Sequence, residues 1–423
     1  MLLFKLKVIY HLKKNIFLMS IELKIYFLKL IKSLLFFDNA GANFQPDTII
    51  VLKVGGLGDF LFGIPALNLI RKFYPHARIC LVTARNLSVL KFQSLDCDPT
   101  DTTNLPWLKL ISNVVNDFLI INDLSIKTIK ELSNKIPKGK KQAIFILGYP
   151  GATIFSILKK LIMVRMIAKG FVTCVGIDKK FDDKFMRKFQ AQNMYKHKML
   201  GDVDSVLESL PSYKFEEKEL NFDVFVNPDA MTSAIQKIGL KNNDVFILIA
   251  PLATRIHKQW PLENFARVTK EIKKSKLDCH FIIIGTKENY IEAEQAYRSI
   301  DLRVNNLCGK LSIEELAALF TVANGYIGND GGMSQLAGTM GCPSVIVFNS
   351  IEADWITHPW RSREGVIRSH TSCSPCFNAI YCPEGHRKCM VDISVESVLV
   401  KVNKVIFKTE LQFLQSYNSI PKH

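Results

Sequence analysis

A chain of 423 residues, 48% of them hydrophobic, can fill the cores of two ordinary domains and is not a disordered polymer. Its formal charge of +16 implies an acidic partner: nucleic acid, an anionic membrane surface or a phosphorylated substrate. No helix-turn-helix and no aromatic–basic RNA-recognition pattern is found, so no nucleic-acid partner is expected.

Residues 1–45 form an extension rich in Leu, Ile, Phe and Lys. Glu22, Lys24, Lys29 and Lys32 break its apolar runs well short of the roughly 20 residues a membrane-spanning helix needs. No small-residue cleavage site follows an apolar core, which argues against a secretory signal. The extension is expected to be a basic helix resting on an anionic leaflet, separable from the catalytic body. A helix packed on the body, or a start codon placed too early, is the competing reading.

Residues 46–227 read as a first Rossmann-like domain. The β-branched run 48–54 predicts a strand, 59–73 a helix ended by Pro75, and 78–82 the next strand, together one βαβ unit. Apolar runs at 118–121, 143–147 and 171–175 alternate with helical patterns at 125–136 and 154–168, as in a parallel sheet covered on both faces. The charged stretch 179–227 suits a linker with peripheral helices. Residues 228–405 repeat the logic. Strands are expected at 245–250, 280–285, 326–327 and 344–348, with helices from Pro261, over 288–298, over 313–322 behind the capping box Ser312-x-x-Glu315, and over 332–340. Residues 406–423 are a tail. The expected fold class is α/β, two doubly wound parallel-sheet domains facing a cleft lined by loops from the carboxyl ends of their strands.

Cys80, Cys97, Cys174, Cys279, Cys308 and Cys342 are scattered, several within apolar runs, as reduced core thiols would be. Cys373-x2-Cys376, Cys382 and Cys389 cluster in a Pro-bearing segment. They fit either a structural metal or free, redox-labile thiols. Asp96-Cys97-Asp98 and Asp202-Val203-Asp204 have the spacing of a metal-binding pair and are read as surface carboxylates.

Three loops carry the chemistry. In Gly55-Gly56-Leu57-Gly58-Asp59 a dinucleotide fingerprint started at Gly56 fails, because Leu61 stands where its third glycine belongs. The loop instead delivers Asp59 to a helix start, as a general base or as a helix cap. In the second half, Thr254, Arg255, His257 and Lys258 precede Trp260-Pro261 at a helix start. Such cations neutralise a leaving diphosphate, with Lys258 the best placed, although a solvated lysine and a core tryptophan would look the same. Asn329-Asp330-Gly331-Gly332 is either a tight turn or an anion site built on free amides at a helix N-terminus.

Taken together, Gly56-Leu57-Gly58-Asp59 with Pro65-Ala66-Leu67, Thr254 with Lys258, Gly309-Lys310-Leu311-Ser312, and Asn329-Asp330 through Ala337 resemble the motifs of glycosyltransferase family 9, the bacterial lipopolysaccharide heptosyltransferases, over residues 48–402. The resemblance implies a GT-B pair of Rossmann-like domains and an inverting, metal-independent transfer, with no cofactor. It also implies a nucleotide-sugar donor, ADP-heptose in the best-known members, and a phosphorylated glycolipid acceptor at the cytoplasmic face of the inner membrane. By the same resemblance Asp59 and Lys258 are catalytic, while Gly56, Gly58, Thr254, Arg255, Glu288, Asp330, Gly331, Gly332 and Gln335 bind substrate. The chain departs from the family where Asp-Ser/Thr-Gly-x-x-His is usual: Gly331 and Gln335 replace the hydroxyl and the imidazole. A different sugar donor, or a binding protein that has lost turnover, would suit that departure.

Overall fold

The structure is a computed structural model. It describes residues 45–83, 105–121, 126–136, 141–147, 154–168, 171–175, 197–241, 244–299, 304–352, 356–376 and 381–408, with Leu30, Lys32, Leu35, Phe36, Leu302 and Asn378 besides. Asp96, Cys97 and Asp98 lie outside this set. Contacts divide the chain into two compact units between Asn221 and Phe222.

The first unit is built on strands β1 (Thr48–Leu52), β2 (Arg78–Thr83), β3 (Asp117–Ile120), β4 (Lys141–Ile146) and β5 (Phe171–Val175). They pair in the order β3-β2-β1-β4-β5, every described pair parallel. The expected helix over 59–73 is two: α1 (Leu57–Leu61) and α2 (Ile64–Phe73). Pro65, near the start of α2, has no N–H to donate and suits a helix start better than an interior. Helices α3 (Ile126–Lys135) and α4 (Ile154–Ile167) cover one face of the sheet, where Ile50, Leu52, Ile144 and Ile146 meet Leu132, Leu161 and Val164.

Two corrections arise in this unit. The end of the N-terminal extension belongs to the domain: Phe36 is buried in that same core, and Arg165 on α4 donates to the Leu35 carbonyl. A chain starting at residue 42 is therefore expected to unfold at a distinctly lower temperature. Phe36→Ala should reproduce much of the loss, about 3–5 kcal/mol for a buried aromatic, in a thermal or urea unfolding experiment. The second correction concerns Asp202, expected on the surface. Helix α5 (Lys198–Leu207) packs on α2, and Asp202 is buried in an ion pair with Lys53, just past the end of β1. The alternation that marks a surface helix is interrupted here by a charge whose partner lies 149 residues away. Lys53→Met would remove the cation opposite that buried carboxylate, and a loss of about 3–5 kcal/mol is expected in the same unfolding experiment. An unchanged midpoint would show that Asp202 is compensated without Lys53.

The second unit has β6 (Phe246–Ala250), β7 (His280–Ile283), β8 (Asn305–Asn306), β9 (Gly325–Asn329), β10 (Ser344–Val347) and β11 (Val366–Ile367) in the order β11-β10-β9-β6-β7-β8, again all parallel. Counted within the unit, this is the 3-2-1-4-5-6 order of a dinucleotide-binding sheet, and the first unit follows it through five strands. Its helices include α6 (Pro228–Ile238), α7 (Leu262–Ser275), α8 (Tyr290–Arg298), α9 (Ile313–Val322), α10 (Gly332–Thr339), α11 (Lys388–Val391) and α12 (Val395–Val405). The Ser312–Glu315 capping box forms as expected, and Glu315 also pairs with Lys237 on α6. Phe265, Val268 and Ile272 of α7 bury their shared face against Ile247, Ile327 and Val345.

Candidate active site

In doubly wound sheets the chain crosses from one half to the other beside the first strand, and the loops at that point leave a crevice at the carboxyl ends. The first unit has its crossover between β1 and β4, the second between β6 and β9. The three loops singled out by sequence follow β1, β6 and β9.

In the first unit, Gly56 is the residue before α1 and makes no side-chain cap, while Gly58 lies within the helix. Asp59 stands in the first turn, where its charge suits the helix dipole, and it is not the cap. Its carboxylate is exposed and has no hydrogen-bond or ion-pair partner among the described residues. The residue that demands glycine is Gly55, which the sequence reading left out of the site. Its φ is +148°, and a Cβ there would come within 2.5 Å of Asp59 Cβ. Beneath the loop, the stem of Lys53 runs past Gly63 on its way to Asp202; a Cβ on Gly63 would lie 3.0 Å from Lys53 Cε. The loop is thus held from below by a buried pair and leaves at its tip a carboxylate with no partner among the described residues.

In the second unit, the loop after β6 places Thr254 and Arg255 in the open and then turns through Ile256–Lys258. Lys258 Nζ lies 2.7 Å from Asp330 Oδ2. Asn349, just past β10, donates to the same oxygen at 2.6 Å. Both bonds fall on Oδ2, so Asp330 Oδ1 has no hydrogen-bond partner among the described residues. Asn329 ties the loops together, accepting from Trp260 N at 2.9 Å and donating to the Pro251 carbonyl at 2.7 Å. Trp260 is fully buried, its indole N–H on the Ile393 carbonyl, which makes it the core anchor of this loop. Pro261 stands one place before the first helical residue of α7.

The glycine loop differs from expectation. The Gly331 amide is not open to a ligand: it donates to Ser334 Oγ at 3.1 Å, and that hydroxyl returns a bond to the Gly331 carbonyl. Gly331 is also nearly fully extended, at φ 173°, so no conformational need for glycine arises there. Gly332 opens α10, and Gln335 is buried, its amide on the Thr357 carbonyl at 2.7 Å. Glu288 sits exposed in the turn after β7, bonded to Thr286, which holds its carboxyl below the usual range. No described contact joins it to Lys258 or Asp330.

The scattered cysteines behave as core thiols where they are described: burial pushes Cys279 up to about 11 and Cys308 and Cys342 up to about 12. Cys373, Cys376, Cys382 and Cys389 are half-buried and free, with Cys373 Sγ 4.0 Å from His386 Nε2. Among the described residues no three metal-ligating side chains converge.

Residues 158–386, more than half of the chain, match the family described as glycosyltransferase family 9 (heptosyltransferase). Lipooligosaccharide heptosyltransferase 2 of Campylobacter jejuni is 26% identical over 235 residues, 53% of this chain and 69% of the relative. Among solved structures, a family 9 glycosyl transferase from Veillonella parvula superposes with a TM-score of 0.62 at 18% identity, covering 88% of this chain and all of the other (100%). The ADP-heptose lps heptosyltransferase II of E. coli gives 0.57 at 15% identity, covering 85% and 99%. These two carry the same GT-B class of fold, and by the family match the chain is a glycosyltransferase that belongs to family 9, the heptosyltransferases.

Proposed function

We propose that this enzyme transfers heptose from ADP-heptose to a phosphorylated glycolipid of the lipopolysaccharide-core type, inverting the anomeric centre without a metal. The observation that carries the reading is Lys258 held by a buried carboxylate at the carboxyl ends of β6 and β9, where this sheet order binds nucleotides. In the reaction Asp59 takes the proton from an acceptor hydroxyl, and that oxygen bonds to the anomeric carbon. The bond from that carbon to the diphosphate oxygen breaks with its electrons staying on the ADP. Lys258 and Thr254 stabilise the charge that gathers there. Asp330 Oδ1 is free to accept a hydroxyl of the donor sugar. The strong positive charge suits a phosphorylated acceptor at an anionic membrane surface, on the cytoplasmic side where nucleotide sugars are found. Among the described residues no helix is long and apolar enough to cross a membrane.

The test is to incubate the protein with a panel of nucleotide sugars and a lipopolysaccharide-core acceptor in EDTA, and to read the product linkage by NMR. Selective turnover of ADP-heptose to the inverted product supports the proposal. Turnover restored only by Mg²⁺ or Mn²⁺ would overturn the metal-free chemistry. Selective turnover of another nucleotide sugar would favour a second reading, which Gln335 motivates: its amide is committed to Thr357, where the family usually offers an imidazole.

A further inference from the structure

We propose that Asn349 is a positioning residue for the donor diphosphate: it holds the buried Asp330 carboxylate so that Lys258 can turn to the ligand. This rests on the reading that Lys258 meets the diphosphate.

The argument begins with an asymmetry of burial. The Lys258 side chain is 26% exposed and that of Asp330 8%, so the ammonium is more open to a ligand and the carboxylate depends more on its protein partners. In the Lys53–Asp202 pair, by contrast, both partners are sealed, at 3% and 2%. That pair is a fixed brace, whereas the Lys258 pair is open at one end. A lysine that turned away from a lone buried carboxylate would leave it short of a partner. That cost would be subtracted from ligand binding.

Asn349 removes most of this cost. Its amide nitrogen donates to Asp330 Oδ2 at 2.6 Å, the very oxygen Lys258 uses. The direction of the amide follows from its partners: the Ile351 N–H can only donate, so it fixes Asn349 Oδ1 at 3.0 Å, and a carboxylate can only accept, so it faces Nδ2. Asn349 is 2% exposed and therefore does not trade this bond for water. Its place is set by the sheet. Asp330 N donates to the Val347 carbonyl at 3.1 Å, which puts the ends of β9 and β10 side by side. A neutral donor is also the right chemistry here, because a second cation would bind Asp330 too firmly and compete with Lys258 for it.

The experiment is a double-mutant cycle read by calorimetric titration of ADP into wild type, Lys258→Met, Asn349→Leu and the double variant, with Asn349→Ser as a second probe should the Leu variant fail to fold. Asn349→Leu is expected to weaken ADP binding about tenfold, the scale of one hydrogen bond to a charged group, and to raise the donor KM more than it lowers kcat. In the Lys258→Met background the same change should have almost no further effect, because no lysine remains to be released. A merely structural role would lower the melting temperature without this coupling. Unchanged or tighter ADP binding by the Asn349 variants, or effects that simply add to those of Lys258→Met, would overturn the inference while leaving the role of Lys258 intact. Unaltered ADP binding by Lys258→Met would instead remove the reading of Lys258, and this inference with it.

Discussion

Asp59→Asn is expected to leave the fold and ADP binding intact while turnover falls by about 10²-fold or more, the scale of acid–base catalysis. The structure sharpens this expectation by removing the competing role. Asp59 does not cap α1 and makes no hydrogen bond or ion pair among the described residues, so an amide there disturbs nothing that holds the loop. An effect on turnover therefore reports the proton. Near-normal kcat with a saturating acceptor would exclude Asp59 as the base. A fall in melting temperature alongside the loss would point to the loop itself. Gly55→Ala provides the complementary measurement. It keeps the carboxylate but forces the backbone out of φ +148° and a Cβ into Asp59, so activity should fall with the charge still present.

Lys258→Met should lower kcat by about 10²-fold, the effect of losing one group that stabilises charge in a transition state. It should weaken ADP binding as well. The stability of the unit should fall by less than for Lys53→Met, although both substitutions break an ion pair to a carboxylate. Asp330 keeps Asn349 and faces a lysine that is itself partly exposed, whereas both partners of the Lys53–Asp202 pair are sealed from water. A loss for Lys258→Met as large as that for Lys53→Met would argue that neither Asn349 nor the openness of the Lys258 pair spares Asp330. Lys258→Arg is a useful companion, since a planar guanidinium keeps the charge but changes its geometry. Activity recovered by arginine would assign the role to charge alone.

Most helices and all the described strands except the two-residue strands β8 and β11 were legible along the chain. Runs such as Thr48–Leu52 and Ser344–Val347 are β-branched and apolar because both faces of a parallel sheet are covered, and that burial leaves its mark residue by residue. The Ser312–Glu315 box was legible for the same reason, as a bond between residues three apart. The division into α1 and α2 had a local signal in Gly63-Ile64-Pro65, but an apolar periodicity that ran on through it concealed the break. Helices α6 and α12 were passed over, though Asn227-Pro228 and Ser394 are ordinary helix starts.

The sequence by itself determined the two parallel sheets, the family and the three loops at their carboxyl ends, because periodicity, caps and short motifs are properties of neighbouring residues. Partners were decided by the tertiary structure alone. Lys258 and Asp330 are 72 residues apart, Asp330 and Asn349 19, and Lys53 and Asp202 149. Which of these charges meet depends on strand order, and strand order is set by the packing of whole elements. The same holds for Gly331 and Phe36. An Asn-Asp-Gly-Gly run looks open until Ser334 closes on its amide, and a Lys-rich apolar extension looks separable until Phe36 is found inside the core of the first domain. A side chain's role depends on what is left for it to bond or to bury once the backbone has been placed, and that remainder belongs to the folded chain.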